Sequence, residues 1–304
     1  MRLTGSSAPV AVGAAALDAA AWAPDHELAA GLHLVATPIG NLGDMTLRGL
    51  WVLRSVDRIL CEDTRVTARL LSRFGIDAPL DPYHDHNADR VRPAVLEALR
   101  RGEKVALVSD AGTPLVSDPG FKLVRAALAE HLPVTAAPGP SAVLTALILS
   151  GLPPDVFLFA GFLPPRQGAR RSRLAELKAV SATLVFFESP SRLADSIADI
   201  GAVLGDREMV IARELTKLHE EMRRGSPAEL ARWAETSAPR GEMVILVAPP
   251  TSAEVTDEAI LSSLGPLLAE QSLRDAAKAV ADDLGVAKGR VYDLGLALKR
   301  GDHK

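Results

Sequence analysis

The residues able to do chemistry sit in short polar segments that each follow an apolar run. Glu62-Asp63-Thr64-Arg65 puts two carboxylates beside a hydroxyl and a guanidinium. A carboxylate held next to a substrate hydroxyl can take its proton, so Glu62 and Asp63 are candidate bases, and with Arg65 at hand they read equally well as a structural ion pair. Asp110 lies in Ser109-Asp110-Ala111-Gly112-Thr113-Pro114, where an apolar run gives way to a Gly-Pro loop. A carboxylate there holds a ribose hydroxyl or an amino group, or else forms an Asx turn that only caps the loop. The loop Thr37-Pro38-Ile39-Gly40-Asn41-Leu42-Gly43-Asp44 is neither G-x-G-x-x-G nor a Gly-Lys-Ser/Thr phosphate loop, which argues against a nicotinamide cofactor or a nucleoside triphosphate. Pro38 removes a backbone donor, which suits an uncharged or cationic ligand better than a phosphate.

Two other clusters carry charge. Tyr83-His84-Asp85-His86-Asn87 is the densest polar run, but His84 and His86 could share a metal only on a strand, and no third ligand stands nearby. A loop that meets substrate or solvent is expected, and no metal. Arg166, Arg170, Arg171 and Arg173 crowd the segment after Pro164-Pro165, either as a solvated face or as a phosphate contact. No G-x-S-x-G elbow with a Ser-Asp-His order is present, so hydrolase chemistry lacks its nucleophile.

The elements that must position these residues alternate. Strands are expected at 32–36, 58–61, 105–108 and 133–136, with helices from 46, over 91–101, 121–130 and 142–150. Strand, loop and helix in that order predict an α/β domain with a largely parallel sheet, whose ligands lie beyond the carboxyl ends of the strands. The loops at 37–44, 62–65, 109–114 and 137–141 all fall on that edge. A second block has strands at 156–159, 183–187, 209–212 and 243–247 and helices at about 170–179, 191–203 and 227–235. Pro249-Pro250-Thr251-Ser252 reads as a linker, and 273–284, Gly285-Val286 and 287–299 have the spacing of a helix-turn-helix. The expected divisions are thus 1–30 as a disordered extension, 31–141 and 142–250 as two α/β domains, and 251–304 as a helical module.

Composition narrows the class. With 304 residues, 48% apolar and 24% charged, the chain has the balance of an ordinary globular protein rather than a disordered regulator or a fibre. One cysteine, Cys61, excludes an internal disulfide and a cysteine-based metal cluster, which points to a reducing compartment, the cytoplasm. The net charge of −4 and 4% aromatics exclude a broad basic or base-stacking surface, so any nucleic-acid contact must be local. The apolar stretch at 141–163 is broken by Pro153, Pro154 and Asp155, and no membrane span is expected. The Ala-rich first 30 residues resemble an export signal only superficially, because Asp18 interrupts their apolar part.

Five segments in one order carry a resemblance: residues 34–42, Cys61-Glu62-Asp63-Thr64-Arg65, Ser109-Asp110-Ala111-Gly112-Thr113-Pro114, Pro138-Gly139-Pro140-Ser141 and Ala212-Arg213-Glu214-Leu215-Thr216-Lys217. From about Leu32 to Ala248 the chain resembles the tetrapyrrole-methylase superfamily, and within it the branch that methylates ribosomal RNA. The resemblance implies two α/β domains with S-adenosylmethionine in the cleft between them, usually in a homodimer. It implies methyl transfer to the ribose 2′-hydroxyl of a cytidine in the decoding region of 16S rRNA, on the RNA or the small ribosomal subunit. By position, Pro38 and Ile39 would lie against the cofactor. Asp110, Thr113, Pro114, Ser141 and Ala142 would line it, with Phe187, Ala212 and Met243 from the second domain. The expected catalytic group is Glu62, Asp63 and Arg65. The expected RNA contacts are His86, Asn87, Arg166, Arg170, Arg171, Arg173, Arg213 and Lys217. Two other readings are a methylase of a small corrin or porphyrin precursor and a DNA-binding regulator; the complete pair of α/β blocks disfavours the second.

Overall fold

The computed structural model describes residues 26–250 and 256–301, in two compact units that divide after Pro249. Most of the expected N-terminal extension, residues 1–25, lies outside the described residues. Residues 26–30, read above as part of it, pack on the body: Leu28 is buried in the core and the His26 ring stands edge-on to Trp51, 5.8 Å away.

The larger unit begins with five parallel strands, β1 (Gly31–Val35), β2 (Arg58–Cys61), β3 (Leu80–Pro82), β4 (Lys104–Val108) and β5 (Val134–Ala137), in the order β3-β2-β4-β1-β5. Helices α1 (Leu47–Ser55), α2 (Thr64–Arg73), α3 (Ala88–Arg100) and α4 (Phe121–Ala129) connect them. A sheet covered on both faces needs apolar residues at every strand position, and the alternation sorts them. Ile59 and Cys61 pack with Leu50, Leu53 and Leu71 on one face, while Leu60 packs with Leu96, Leu99 and Leu123 on the other. Thr46 and Asp63 start α1 and α2 by accepting hydrogen bonds from Gly49 N at 3.0 Å and Arg65 N at 2.8 Å.

The second half of this unit forms another five-stranded sheet from β6 (Phe157–Phe162), β7 (Thr183–Glu188), β8 (Met209–Arg213), β9 (Glu221–Gly225) and β10 (Met243–Val247), ordered β6-β7-β10-β8-β9. Only β6 and β7 run parallel; the other neighbours are antiparallel. Helix α5 (Ala142–Ser150) covers one face through Val143, Ala146 and Leu147 against Val210, Ala212 and Val244. Helices α6 (Gln167–Leu177), α7 (Leu193–Leu204) and α8 (Pro227–Ser237) cover the other, where Leu174, Ile197 and Leu230 meet Phe186, Ile211 and Ile245.

The smaller unit is three helices, α9 (Asp257–Leu267), α10 (Leu273–Leu284) and α11 (Lys288–Arg300). Ser272 caps α10, and Gly285 ends it in the left-handed conformation that frees the chain to turn into α11. Ile260, Leu264, Ala277, Val280 and Val291 make its core, and Arg290 reaches Asp257 at 2.7 Å.

One ion pair in the larger unit overturns a reading of the sequence. Arg170 is buried in α6, with Nε 2.7 Å from Asp199 Oδ2 on α7, and Arg171 Nε meets Oδ1 of the same carboxylate at 2.6 Å. Arg170 therefore fastens two helices together and is not available to contact RNA. Burial alone would raise the Asp199 carboxyl, but the hydrogen bonds from Arg171 and Arg170 outweigh it and hold the group below the usual carboxylate range. The pair thus stabilises the fold above the ordinary carboxylate pKa of about 4, and this contribution is lost as the pH falls through the depressed folded value. Removing one partner leaves a buried guanidinium uncompensated. Asp199→Ala is expected to destabilise the larger unit by about 3–5 kcal/mol, read from urea unfolding at neutral pH.

Candidate active site

The carboxyl ends of β1, β4 and β5 are knitted into one wall. Thr37 N donates to the Gly112 carbonyl at 2.9 Å and Gly112 N returns the bond to Thr37 at 3.0 Å. The Thr37 hydroxyl donates to the Ser109 carbonyl at 3.1 Å, and Thr113 Oγ1 donates to the Pro140 carbonyl at 3.0 Å. Gly112 has φ +82°, and a Cβ there would stand 3.2 Å from Ile39 Cγ2. Across the gap, the loop after β8 approaches as closely. A Cβ on Gly40 would overlap Lys217 Cγ and come within 3.0 Å of the Leu215 carbonyl. Strain concentrates here: among the described residues six non-glycine positions have positive φ, and Leu115, Ser117, Glu214 and Thr216, four of them, are on loops bordering this gap.

Between the two sheets these loops enclose a cavity of about 440 Å³. Its first wall holds Ile39, Asp110, Thr113, Ser141 and Ala142; Phe187, Ala212 and Met243 form the opposite one. All eight were expected to line a cofactor. Pro38 and Pro114 are not on the wall, and Pro114 is buried behind it. The surfaces are mostly apolar, with Ser141 also spent on capping α5. Every ionisable side chain on the wall is a carboxylate: Asp110, Asp118, Glu188 and Glu242. Glu188 and Glu242 pair with Arg192 and Lys217, whereas Asp110 and Asp118 have no ion pair among the described residues.

Glu62, Asp63 and Arg65 lie in an adjoining open concavity with Pro82, His84 and His86, and Asp110 belongs to both spaces. The structure divides the two acids. Asp63 accepts hydrogen bonds from Arg65 N, Nε and Nη2 at 2.8, 3.0 and 2.7 Å, and these hold its carboxyl down to about 2. A carboxylate that weak in proton affinity is a poor base at neutral pH, so the ion-pair reading of Asp63 and Arg65 prevails. Glu62 is pushed up instead, first by burial and then by the charge of Asp110. Asp118 was not anticipated. Burial, then the charges of Glu62 and Asp110, raise its carboxyl to about 6. Its one signal in the sequence was a second aspartate in the Pro-Gly stretch Ser117-Asp118-Pro119-Gly120 just beyond the motif containing Asp110.

The expected RNA contacts are scattered. His86 is exposed at the open concavity, but Asn87 is buried: its Oδ1 accepts from His84 N and its Nδ2 donates to the Pro82 carbonyl, both at 2.9 Å. Asn87 shapes its loop and has no face left for RNA. Arg166 and Arg173 are exposed on or beside α6, the latter 2.7 Å from Glu176. Arg213 pairs with Glu221 at 2.8 Å, and Lys217 bridges Glu214 and Glu242 at 2.9 Å on the rim of the cavity. Among the described residues no group of three His, Cys, Asp or Glu is placed to hold a metal ion, and no helix is long and apolar enough to cross a membrane.

Comparison with known proteins agrees with this geometry. Residues 31–231 match the Tetrapyrrole (Corrin/Porphyrin) Methylases, and residues 254–299 match the RsmI C-terminal HTH domain. The chain is 49% identical over 278 residues to ribosomal RNA small subunit methyltransferase I of Mesorhizobium japonicum, covering 91% of this chain and 95% of the relative. It is 46% identical to the protein of the same name from Vibrio cholerae, over 87% of this chain and 94% of the relative. A uroporphyrin-III C-methyltransferase from Thermus thermophilus, crystallised with S-adenosyl homocysteine, shares the fold with a TM-score of 0.52 at 20% identity, over 71% of this chain and 96% of that one. On both counts, matched length and identity, the chain belongs to the tetrapyrrole methylase family and, within it, to the ribosomal RNA small subunit methyltransferase I group.

Proposed function

We propose that the protein transfers the methyl group of S-adenosylmethionine to the ribose 2′-hydroxyl of a cytidine in the decoding region of 16S rRNA. The observation that carries this reading is the charge of the cleft: an apolar cavity whose wall presents carboxylates and no cation. Such a site suits a cationic sulfonium and repels a phosphate. The volume is within the range that encloses a cofactor of this size, and its polar groups are few and convergent, so the residues present fit the donor. Bound there, the sulfonium supplies an electrophilic methyl carbon.

The chain's own contribution is placement. Ile39, Ala142 and Ala212 give a smooth apolar wall, Phe187 and Met243 close it opposite, and Asp110 and Thr113 are the polar groups that fix orientation. In-line transfer depends on alignment, and holding both reactants in register is worth up to about 7–11 kcal/mol. The relatives, ribosomal RNA small subunit methyltransferases, support ribosomal RNA of the small subunit as the substrate class, and that substrate in turn favours the cytoplasm as the place of action. Exposed Arg166, Arg171 and Arg173 and the rim residues Arg213 and Lys217 remain as phosphate contacts, with His86 at the open concavity.

Helix α5 supports a homodimer. It leaves Leu144 and Ile148, one turn apart, on the surface, with Ile148 75% exposed and Val156 and Phe157 exposed just beyond the helix. A second copy is the partner expected for that face.

Three measurements test these assignments. Protein incubated with labelled S-adenosylmethionine is expected to label small ribosomal subunits at a ribose 2′-oxygen mapped by primer extension; label only in a tetrapyrrole precursor would overturn the substrate. Asp110→Ala is expected to weaken S-adenosylhomocysteine binding at least tenfold, or about 1.4 kcal/mol, by calorimetry. Ile148→Glu is expected to shift the protein from dimer to monomer in sedimentation, and an unchanged mass would remove α5 from the interface.

A further inference from the structure

A ribose hydroxyl is a poor nucleophile until its proton has somewhere to go. Of the four carboxylates grouped where the cleft meets the adjoining concavity, three are unsuited to take it. Asp63 is engaged by Arg65 through both oxygens. Asp110 Oδ1 accepts the Asp63 amide at 3.1 Å, which ties it to the loop it supports. Glu62 faces the outer concavity and is exposed. Asp118 differs on each point. It lines the cavity itself, and no hydrogen bond or ion pair reaches its carboxylate among the described residues.

The backbone around it is held under strain. Leu115 at φ 72° and Ser117 at φ 64° are left-handed without being glycine, and Gly120 follows at φ 126°, where a Cβ would collide with Leu107. Conformations of this kind are costly and persist only where the surrounding fold imposes them. Asp118 lies within this strained segment and lines the cavity. We propose that Asp118 takes the proton of the attacking ribose hydroxyl, an inference that rests on the methyl-transfer reading above. In that step the O–H bond breaks and its proton passes to the Asp118 carboxylate. The oxygen's electron pair forms the new O–C bond, and the pair of the displaced C–S bond stays on sulfur, which becomes a neutral thioether.

The charges around Asp118 agree with this role. Glu62 at the end of β2 and Asp110 at the end of β4 act on it, while Glu188 and Glu242 across the cavity are offset by Arg192 and Lys217. Their combined effect, with burial first, puts the group at about 6, ionised at neutral pH yet close enough to accept a proton effectively. The sign for stability follows. A carboxyl raised on folding makes the fold less stable as the pH rises from the unfolded value toward 6, so replacing it by an amide is not expected to lower the melting temperature at pH 7.5.

The test uses full-length wild type, Asp118→Asn and Glu62→Gln. In ligand-free wild type, the Asp118 carboxyl carbon is expected to titrate near pH 6 by NMR, and Glu62→Gln is expected to lower that midpoint by removing a like charge. Asp118→Asn is expected to bind S-adenosylhomocysteine within twofold of wild type while kcat falls about 100-fold or more and the acid limb of the pH–rate profile disappears. An Asn variant with full rate and an unchanged limb overturns the proposal alone. Loss of S-adenosylhomocysteine binding in that variant also overturns it, by making Asp118 a cofactor-holding group. Wild type that labels no ribosomal substrate overturns the function reading, and this proposal falls with it.

Discussion

The reciprocal pair of backbone hydrogen bonds between Thr37 and Gly112 is the constraint on which the site depends. Loops that leave neighbouring parallel strands have no ladder left to satisfy their amides, and buried amides without partners are expensive. By pairing with each other in an isolated antiparallel bridge just past the parallel ladder, the two loops satisfy these amides and fix Ile39 against Gly112. Thr113 extends the same bracing to the third loop at Pro140. With that wall rigid, the strained turns at Leu115 and Ser117 and, opposite, at Glu214 and Thr216 can be maintained. Strain of this kind is tolerated where a packed sheet on either side overdetermines the loop.

The electrostatics follow from the same arrangement. Strand ends deliver carboxylates to the gap, while the arginines and lysines nearby are drawn into pairs at the rim or behind the helices. The interior thereby keeps an unbalanced negative character that a cation can relieve. A polyanion, by contrast, must be gripped at the periphery and presented to the gap only through a neutral sugar. An overall charge of −4 is compatible with such local contact and not with broad adhesion to nucleic acid.

Much of this was legible in the chain. The parallel first sheet and the loops at its carboxyl edge follow from apolar runs broken by Gly, Pro and short polar residues, whereas the eight residues found on the cavity wall were implied by the family resemblance. The antiparallel neighbours of the second sheet do not follow, because strand direction leaves no mark on a buried apolar run. Strand β9, Glu-Met-Arg-Arg-Gly, was missed because its residues carry little β-propensity and are placed by the neighbouring β8 alone. Helix α2 reads as a charged cluster until its Thr67 and Leu71 face is seen against the core. Arg170 looks like its exposed neighbours in sequence, since its partner Asp199 lies on the next helix. Asn87 and Asp118 share this difficulty: what each does is set by groups brought together only in three dimensions.

The near contact of Gly40 with Lys217 and Leu215 carries an architectural consequence. Ile39 already packs with the second sheet in one apolar cluster, and beside it the absence of a side chain at Gly40 lets the two loops meet. The aperture is gauged by the thickness of bare backbone at one point, much as a shim sets a bearing. A wider residue at this point would press on the Leu215 carbonyl and displace the stem of Lys217, one of the rim residues assigned above to phosphate. The close approach of these two loops thus depends on a position that performs no chemistry.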